Sequence, residues 1–341
     1  MDKRDQHSEG FLVPSAYLQP ILTVCRGYHL DFAKLLASEH ISTRALAGEI
    51  ETVDYESYVN LLNRGSNWSK NLAFGHEVAK HYELQTTAEL TYLIAKQEYL
   101  AQIYPALSYI VEAQSRGVYH ELEVKGSMAY HCVDYEKPAS LNCDQSAQLL
   151  ITFYHLTFKR LLGSAWKPTS VSLEGNRHID IRTLEQFFGC KVIVEQPCNF
   201  IEFPAALLYQ RFESTLPESK EVTMETSKIL KNFDDLEGLV SKYIEFGLES
   251  GSFAKEDIAK QLCVHPRVLQ NRLSEKGLKF RDLLNYVRKK RAEFLLRHTQ
   301  KSILAISHLL GYQDSRTFIR AFKTWFGATP DAWRGEVLAT S

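Results

Sequence analysis

Apolar residues recur at three- and four-residue steps through the first third of the chain. The stretches "PSAYLQPILTVC" (14–25), "DYESYVNLLNRG" (54–65) and "ELTYLIAKQEYLAQIYPALSYIVEAQ" (89–114) all carry that helical period, so residues 14–115 are expected to be mainly helical. At Val118 the period changes to two. In "VYHELEV" the alternating set is Val118, His120, Leu122 and Val124, and "SMAYHCVDY" follows as a hairpin partner, with Gly126 and Ser127 in the turn. A helix over Asp144–Leu162 comes next, then a strand "TSVSLEG", a short helix "DIRTLEQFFG" capped by Asp180 and stopped by Gly189, and a strand "KVIVEQ". Strand, helix, strand in that order predicts a parallel unit with a right-handed crossover.

A polar segment, "ESTLPESKEVTMETSK" (213–228), then breaks the periodicity. It divides the chain into an N-terminal domain over 1–212 (helical over 14–115, α+β over 118–212), a linker over 213–232 and a C-terminal domain over 233–341. That last domain reads as helices only. "DDLEGLVSKYIEFGLESG" is a helix that Gly247 and Gly251 help to end. Ala254–Leu262 is another. After a short turn, Pro266 opens a third at a position where its missing N–H costs little, and Gly277 ends it. "FRDLLNYVRKKRAEFLLRHT" (280–299) is a long helix with an apolar stripe of Leu283, Leu284, Val287, Phe294 and Leu295. "SILAISHLL", a turn at Gly311–Tyr312, and a helix beginning near Asp314 and Ser315 complete the pattern.

The last helix is sided. With Phe318 at zero on a helical wheel, Phe322, Trp325 and Phe326 fall within roughly 80°, and Arg316, Arg320 and Lys323 at roughly 140–200°. In the helix after Pro266, Leu269 and Leu273 share one face; Arg267, Asn271 and Ser274 lie opposite, with Gln270 at the edge. Two helix-turn-helix units are thus expected within about 85 residues. The helix between them, about 18 residues at 1.5 Å each, is a rod of roughly 27 Å. The major groove of B-DNA returns to the same side every 34 Å or so, so this rod, with its turns, can hold two basic helices in successive groove segments.

Charge supports that reading. The chain carries a net charge of −1, yet residues 251–341 hold 17 Lys/Arg against 8 Asp/Glu, while residues 1–250 hold 23 against 33. A basic C-terminal unit on a more acidic body fits a nucleic-acid binder. Arg267, Arg316 and Arg320 have the forked geometry that reads guanine or grips phosphate, Gln270 and Asn271 suit adenine, and Ser274, Ser315 and Thr317 suit phosphate or base edges. Lys323, Arg281 and the linker-helix cluster Arg288-Lys289-Lys290-Arg291 are assigned to phosphates.

The stretch "ISHLLGYQDSRTFIRAFKTWFGATPDAWR" resembles the C-terminal signature of the AraC/XylS family of bacterial transcription regulators. The resemblance is carried by Ile306/Ser307, Gly311-Tyr312, Ser315, Phe318, Arg320, Phe322-Lys323, Gly327, Thr329-Pro330, Trp333 and Arg334. The first helix-turn-helix departs from the family pattern at Asn271 and Leu273. "WKPTSVSLEG" and "FFGCKVIVEQPCNFIEFPAALL" are similar to the branch with a long, arabinose-binding-like regulatory domain. The resemblance implies an α+β regulatory domain followed by an all-α DNA-binding domain with two helix-turn-helix motifs joined by a linker helix. It also implies a DNA-binding regulator, in most cases an activator that contacts RNA polymerase, with an unknown small-molecule effector and homodimerisation through the N-terminal domain.

Other chemistry is less well supported. No run of 18 apolar residues reads as a membrane span, and the polar start lacks a signal-peptide core, so a cytoplasmic location is expected. Six scattered cysteines with no CxxC pair read as reduced thiols. His131-Cys132 with Cys143 lacks the tight paired spacing of structural zinc sites. His178 near Glu174 and Asp180 has no accompanying nucleophile motif, so no catalytic residue, cofactor or metal is expected. Tyr82, Tyr92, Tyr99, Tyr104 and Tyr109 are expected mostly in the core, with a few free to line an effector pocket. Two readings of other classes remain open: an enzyme or small-molecule carrier with a helical appendage, and an adaptor whose basic helices bind an acidic protein.

Overall fold

The computed structural model describes residues 12–82, 94, 96–114, 118–135, 141–175, 179–211 and 235–340. The linker read at 213–232, and Tyr92 and His178, lie outside the described residues. The chain divides into two compact units, one drawn from residues 1–85, 98–101 and 110–216, the other from 86–97, 102–109 and 217–341.

The first unit opens with a two-stranded antiparallel sheet, β1 (Leu12–Pro14) with β2 (Thr52–Asp54), around helices α1 (Leu18–Gly27) and α2 (Phe32–Ser38). Period alone did not reveal these three-residue strands, because a segment that short holds too few side chains to show alternation. Helices α3 (Tyr55–Ser69), α4 (Phe74–Ala79) and α5 (Leu100–Gln114) follow. Asp54 caps α3 by accepting from the Ser57 N–H at 2.8 Å, and Lys70 ends it in the left-handed conformation.

A five-stranded sheet forms the rest, in the order β3-β4-β7-β5-β6. The hairpin β3 (Val118–Lys125) and β4 (Met128–Tyr135) pairs Val118 with Tyr135 through Lys125 with Met128. β5 (Ser170–Ser172) and β6 (Lys191–Ile193) are parallel, as strand–helix–strand order requires, with α7 (Ile181–Phe188) between them in sequence. Asp180 caps α7 and Gly189, at φ +66°, ends it. A strand beyond those the periodicity predicts, β7 (Asn199–Pro204), inserts between β4 and β5, antiparallel to both. Its alternation is present in hindsight: Asn199, Ile201 and Phe203 are buried, with Phe200 and Glu202 between them on the other face.

Helix α6 (Asp144–Leu162) covers the sheet's buried face. Tyr154 and Phe158 pack against His131, and Phe158 meets Trp166 and Phe203 at 5.7 Å each. Gly75 of α4 donates its N–H to Gln145 Oε1 at 2.7 Å, and a β-carbon there would collide with the Gln145 carbonyl, so glycine permits the close approach of α4 and α6. Two residues that carry the N-terminal resemblance, Trp166 and Asn199, hold this packing together. Trp166 is buried, and Asn199 accepts from the Glu174 N–H at 3.0 Å, tying the end of β5 to β7.

In the second unit, helix α8 (Leu236–Ser250) is capped by Asp235 and ends at Gly251, φ +76°. Gly247 lies within the helix rather than ending it. Its missing β-carbon makes room for the Ser252 carbonyl, and its own carbonyl accepts from the Ser252 N–H. Six helices follow: α9 (Lys255–Gln261), α10 (Pro266–Glu275), α11 (Phe280–His298), α12 (Ile303–Leu309), α13 (Ser315–Phe326) and α14 (Pro330–Thr340). The same unit takes in part of α5, where Tyr104 packs on Phe246 at 4.7 Å between ring centres.

Candidate nucleic-acid interface

Each helix-turn-helix is built by local rules. In the first, α9 turns into α10 through Cys263, at φ +56°. His265 caps α10 by accepting the Arg267 N–H on Nδ1 at 3.2 Å, and Pro266 takes the opening position. Leu269 and Leu273 are fully buried, while Arg267, Asn271 and Ser274 are exposed and Gln270 is half-buried, 3.5 Å from Ser274 Oγ. In the second, Ser302 caps α12 and Gly311 makes the turn at φ +70°. Asp314 then caps α13. Its carboxylate accepts the Thr317 N–H at 2.8 Å and the Thr317 hydroxyl at 2.9 Å, and these bonds hold it below the usual carboxylate range.

Phe318 and Phe322 are completely buried. They join Ala292, Leu295 and Leu296 of α11 and Ile306 and Leu310 of α12 in one core, with Trp325, Phe326 and Trp333 packed at its edge. Arg316, Thr317, Arg320 and Lys323 are exposed on the other side, and Ser315 is half-buried at the helix start. The aromatic face anchors α13 and the cationic face is left to solvent. Thr317 alone among these residues has its hydroxyl engaged, by Asp314. Arg281, at the start of α11, is exposed as well.

The linker-helix cluster behaves differently from its assignment. Of Arg288-Lys289-Lys290-Arg291, Lys290 is exposed. Arg288 turns inward. Its Nε donates to the Leu310 carbonyl at 2.9 Å and its Nη2 to the Gly311 carbonyl at 3.2 Å, with the Phe253 and Tyr312 rings 5.3 and 4.4 Å from the guanidinium. Burial lowers its pKa. Arg291, with 11% of its side chain exposed, lies 3.6 Å from Glu245 of α8, and Lys289 sits 5.0 Å from the Phe326 ring. In the sequence these four look like equivalent phosphate contacts, because successive cations are alike until the helix phase is known. The apolar stripe of α11 shifts for the same reason. Ala292 and Leu296 are buried, whereas Phe294, which the stripe included, is 45% exposed.

In the first unit, alternation along β4 sends His131 into the core and Cys132 to the opposite face, so the two cannot share an ion. His131 stacks on His120 at 5.7 Å, and burial depresses it to about 3. Among the described residues no three His, Cys, Asp or Glu side chains are grouped to hold a metal.

Comparison with known proteins agrees with this anatomy. Residues 258–336 match a helix-turn-helix domain model, and residues 30–212, more than half the chain, match the arabinose-binding domain of AraC transcription regulators. The chain belongs to the AraC family of transcription regulators. It is similar to the ornithine utilization regulator of Pseudomonas aeruginosa, at 24% identity over 95% of this chain and 96% of that one. It is also similar to the regulator VirS of Mycobacterium tuberculosis, at 29% identity over 46% and 48% of the two chains. Among solved structures, CdpR from Pseudomonas aeruginosa aligns over 93% of this chain and 97% of its own, with a TM-score of 0.43 and 18% identity. The chain is therefore a DNA-binding transcription regulator of the AraC type rather than an enzyme, and no described helix is long and apolar enough to cross a membrane.

Proposed function

We propose that this AraC-family regulator reads two adjacent major-groove segments, inserting α10 into one and α13 into the next. Arg267, Arg316 and Arg320 contact guanine edges or phosphate, Gln270 and Asn271 contact adenine, and Ser274, Ser315 and Thr317 contact phosphates or base edges. Lys323 and Arg281 neutralise phosphates and fix register. The single observation that carries this reading is the division of α13, buried through Phe318 and Phe322 and exposing Arg316, Thr317, Arg320 and Lys323 along its outer side. A charged face held by a rigid apolar one is the arrangement direct readout needs.

The N-terminal domain, over 1–212, takes the effector and pairs two subunits, the polar linker over 213–232 joins it to the reader over 233–341, and the regulator activates in the cytoplasm through contact with RNA polymerase. Support comes from the family match over 30–212. Selection of bound duplexes from a random pool tests the reading of the groove. Two sequence blocks centred about 10–10.5 base pairs apart are expected. A single block, or none, would overturn it.

A further inference from the structure

The turns ahead of α10 and α13 share one backbone plan but differ in the residue at its tightest point. After α12 that residue is Gly311, φ +70°, and the N–H groups of Gly311 and Tyr312 return to the His308 and Ser307 carbonyls at 2.9 Å each. After α9 it is Cys263, φ +56°, with Cys263 and Val264 bonding back to the Lys260 and Ala259 carbonyls at 3.0 and 2.9 Å. Glycine adopts the left-handed conformation freely, whereas a β-carbon strains it. The first turn therefore needs more support than the second.

Each turn is gripped by a long side chain from outside its motif. Arg288 holds the Leu310 and Gly311 carbonyls of the second. Gln97, just ahead of α5 and 164 positions from Gln261, holds the first. Its Nε2 donates to the Gln261 carbonyl at 2.9 Å and to Cys263 Sγ at 3.4 Å. Gln261 is the last residue of α9, and the final carbonyls of a helix lack partners within it. Gln97 is itself buried, where an amide must use its hydrogen bonds to be stable. The segment that carries it is seated at two further points. Tyr104 packs on Phe246 of α8, and Tyr109 donates its hydroxyl to the Asp235 carbonyl, at the start of α8, at 3.2 Å. Gln97, Tyr104 and Tyr109 thus belong to the compact unit of the helix-turn-helix motifs, although the arabinose-binding match over 30–212 covers all three.

We propose that Gln97 is a positioning residue for DNA reading. It holds the α9–α10 turn in its left-handed form and so fixes the pose in which α10 meets the major groove. The proposal rests on the reading of α10 as a groove reader. It adds that the first half-site depends on a residue that the sequence places in the regulatory half of the chain.

The test uses the full chain carrying Gln97→Met, which keeps the length of the side chain and removes its donor. The probes are the duplex that the parent selects from a random pool and the same duplex with the block read by α10 scrambled. That block is the one at which Arg267→Ala relaxes the choice of base. Gln97→Met is expected to weaken binding of the intact duplex about three- to tenfold, the worth of about one hydrogen bond, and to bind the scrambled duplex as the parent does. Without DNA, iodoacetamide is expected to label Cys263 at least about threefold faster than in the parent, because the turn opens more often, while buried Cys25 stays as protected. Adding Cys263→Gly is expected to restore the lost affinity, since glycine holds the turn without the brace. An affinity for the intact duplex equal to the parent's would overturn the positioning role. So would a loss shared equally by both duplexes, or one that Cys263→Gly leaves in place. If no block responds to Arg267→Ala, the groove reading is overturned and the positioning role with it. If a block responds and Gln97→Met still binds as the parent does, the positioning role alone is lost. Gln97→Leu, also apolar and of similar bulk, replaces the methionine variant should rapid Cys25 labelling show that it has not folded.

Discussion

Arg320 and Lys323 sit one turn apart on α13, and both are exposed, yet their expected contributions differ in kind. A guanidinium that grips a guanine edge discriminates bases, and an ammonium on a phosphate does not. Arg320→Ala is expected to weaken cognate binding by about 1–3 kcal/mol and to relax choice at one base position. Lys323→Ala is expected to weaken cognate and random duplexes alike and to reduce the salt slope by about one. Fluorescence anisotropy at several salt concentrations measures both; a Lys323 variant that loses only cognate binding would reverse the assignment.

Histidine buried in the first unit has a separate consequence. Burial, the first cause in each case, depresses His76 to about 4, His155 to about 4 and His131 to about 3, with Lys80 assisting at His76 and Lys159 and His76 at His155. An unfolded histidine takes up its proton near pH 6.5. Between pH 6.5 and about 4 the unfolded chain thus binds protons that the folded one refuses, and stability falls as pH falls through that window. Urea midpoints followed by circular dichroism are expected to decline steadily from pH 7 to pH 4. A flat profile would mean these rings are solvated.

At the scale of elements, α11 matters more than its length. The sequence presents it as a rod between two readers, and at 19 residues it is about 28 Å long. The structure makes it also the floor of the second helix-turn-helix, through Ala292, Leu295 and Leu296, and a brace for its turn, through Arg288. Arg288→Ala removes two charge-assisted hydrogen bonds to the carbonyls of Leu310 and Gly311. It is expected to cost about 2 kcal/mol in chemical denaturation and to weaken DNA binding although Arg288 touches no base. Arg288→Lys cannot reproduce the fork and should recover little of either.

The elements that sequence revealed best are those whose period is long and whose ends are marked. Phe318 and Phe322 with Asp314 and Gly327 around them define α13 without a structure. So do Leu269, Leu273 and Pro266 for α10. The inward turn of Arg288 and Arg291 was not legible, because a charged side chain in a charged run carries no signal of its partner. β7 was missed for a related reason. It contributes one buried residue in two, and its neighbours in the sheet are distant in sequence.

Across the whole molecule, charge is unevenly placed, with the cations concentrated after residue 250. A regulator gripping several phosphates is expected to lose affinity steeply with salt, the slope of log affinity against log salt being about −0.9 for each phosphate neutralised. A slope near zero would instead favour the adaptor reading. The expected spacing of half-sites, about one helical turn, belongs to this scale too, since it depends on both readers at once.

A final consequence follows from Gly311. A β-carbon at that turn would run into the ring of Phe253, a residue ahead of α9, and Arg288 lies against the same ring. The leading edge of the first helix-turn-helix is thus wedged beneath the corner of the second. Neither half is a portable module. Exchanging one alone between relatives would tear a shared joint, so sequence preference in this reader must change by altering surface side chains in place, or by replacing both halves together.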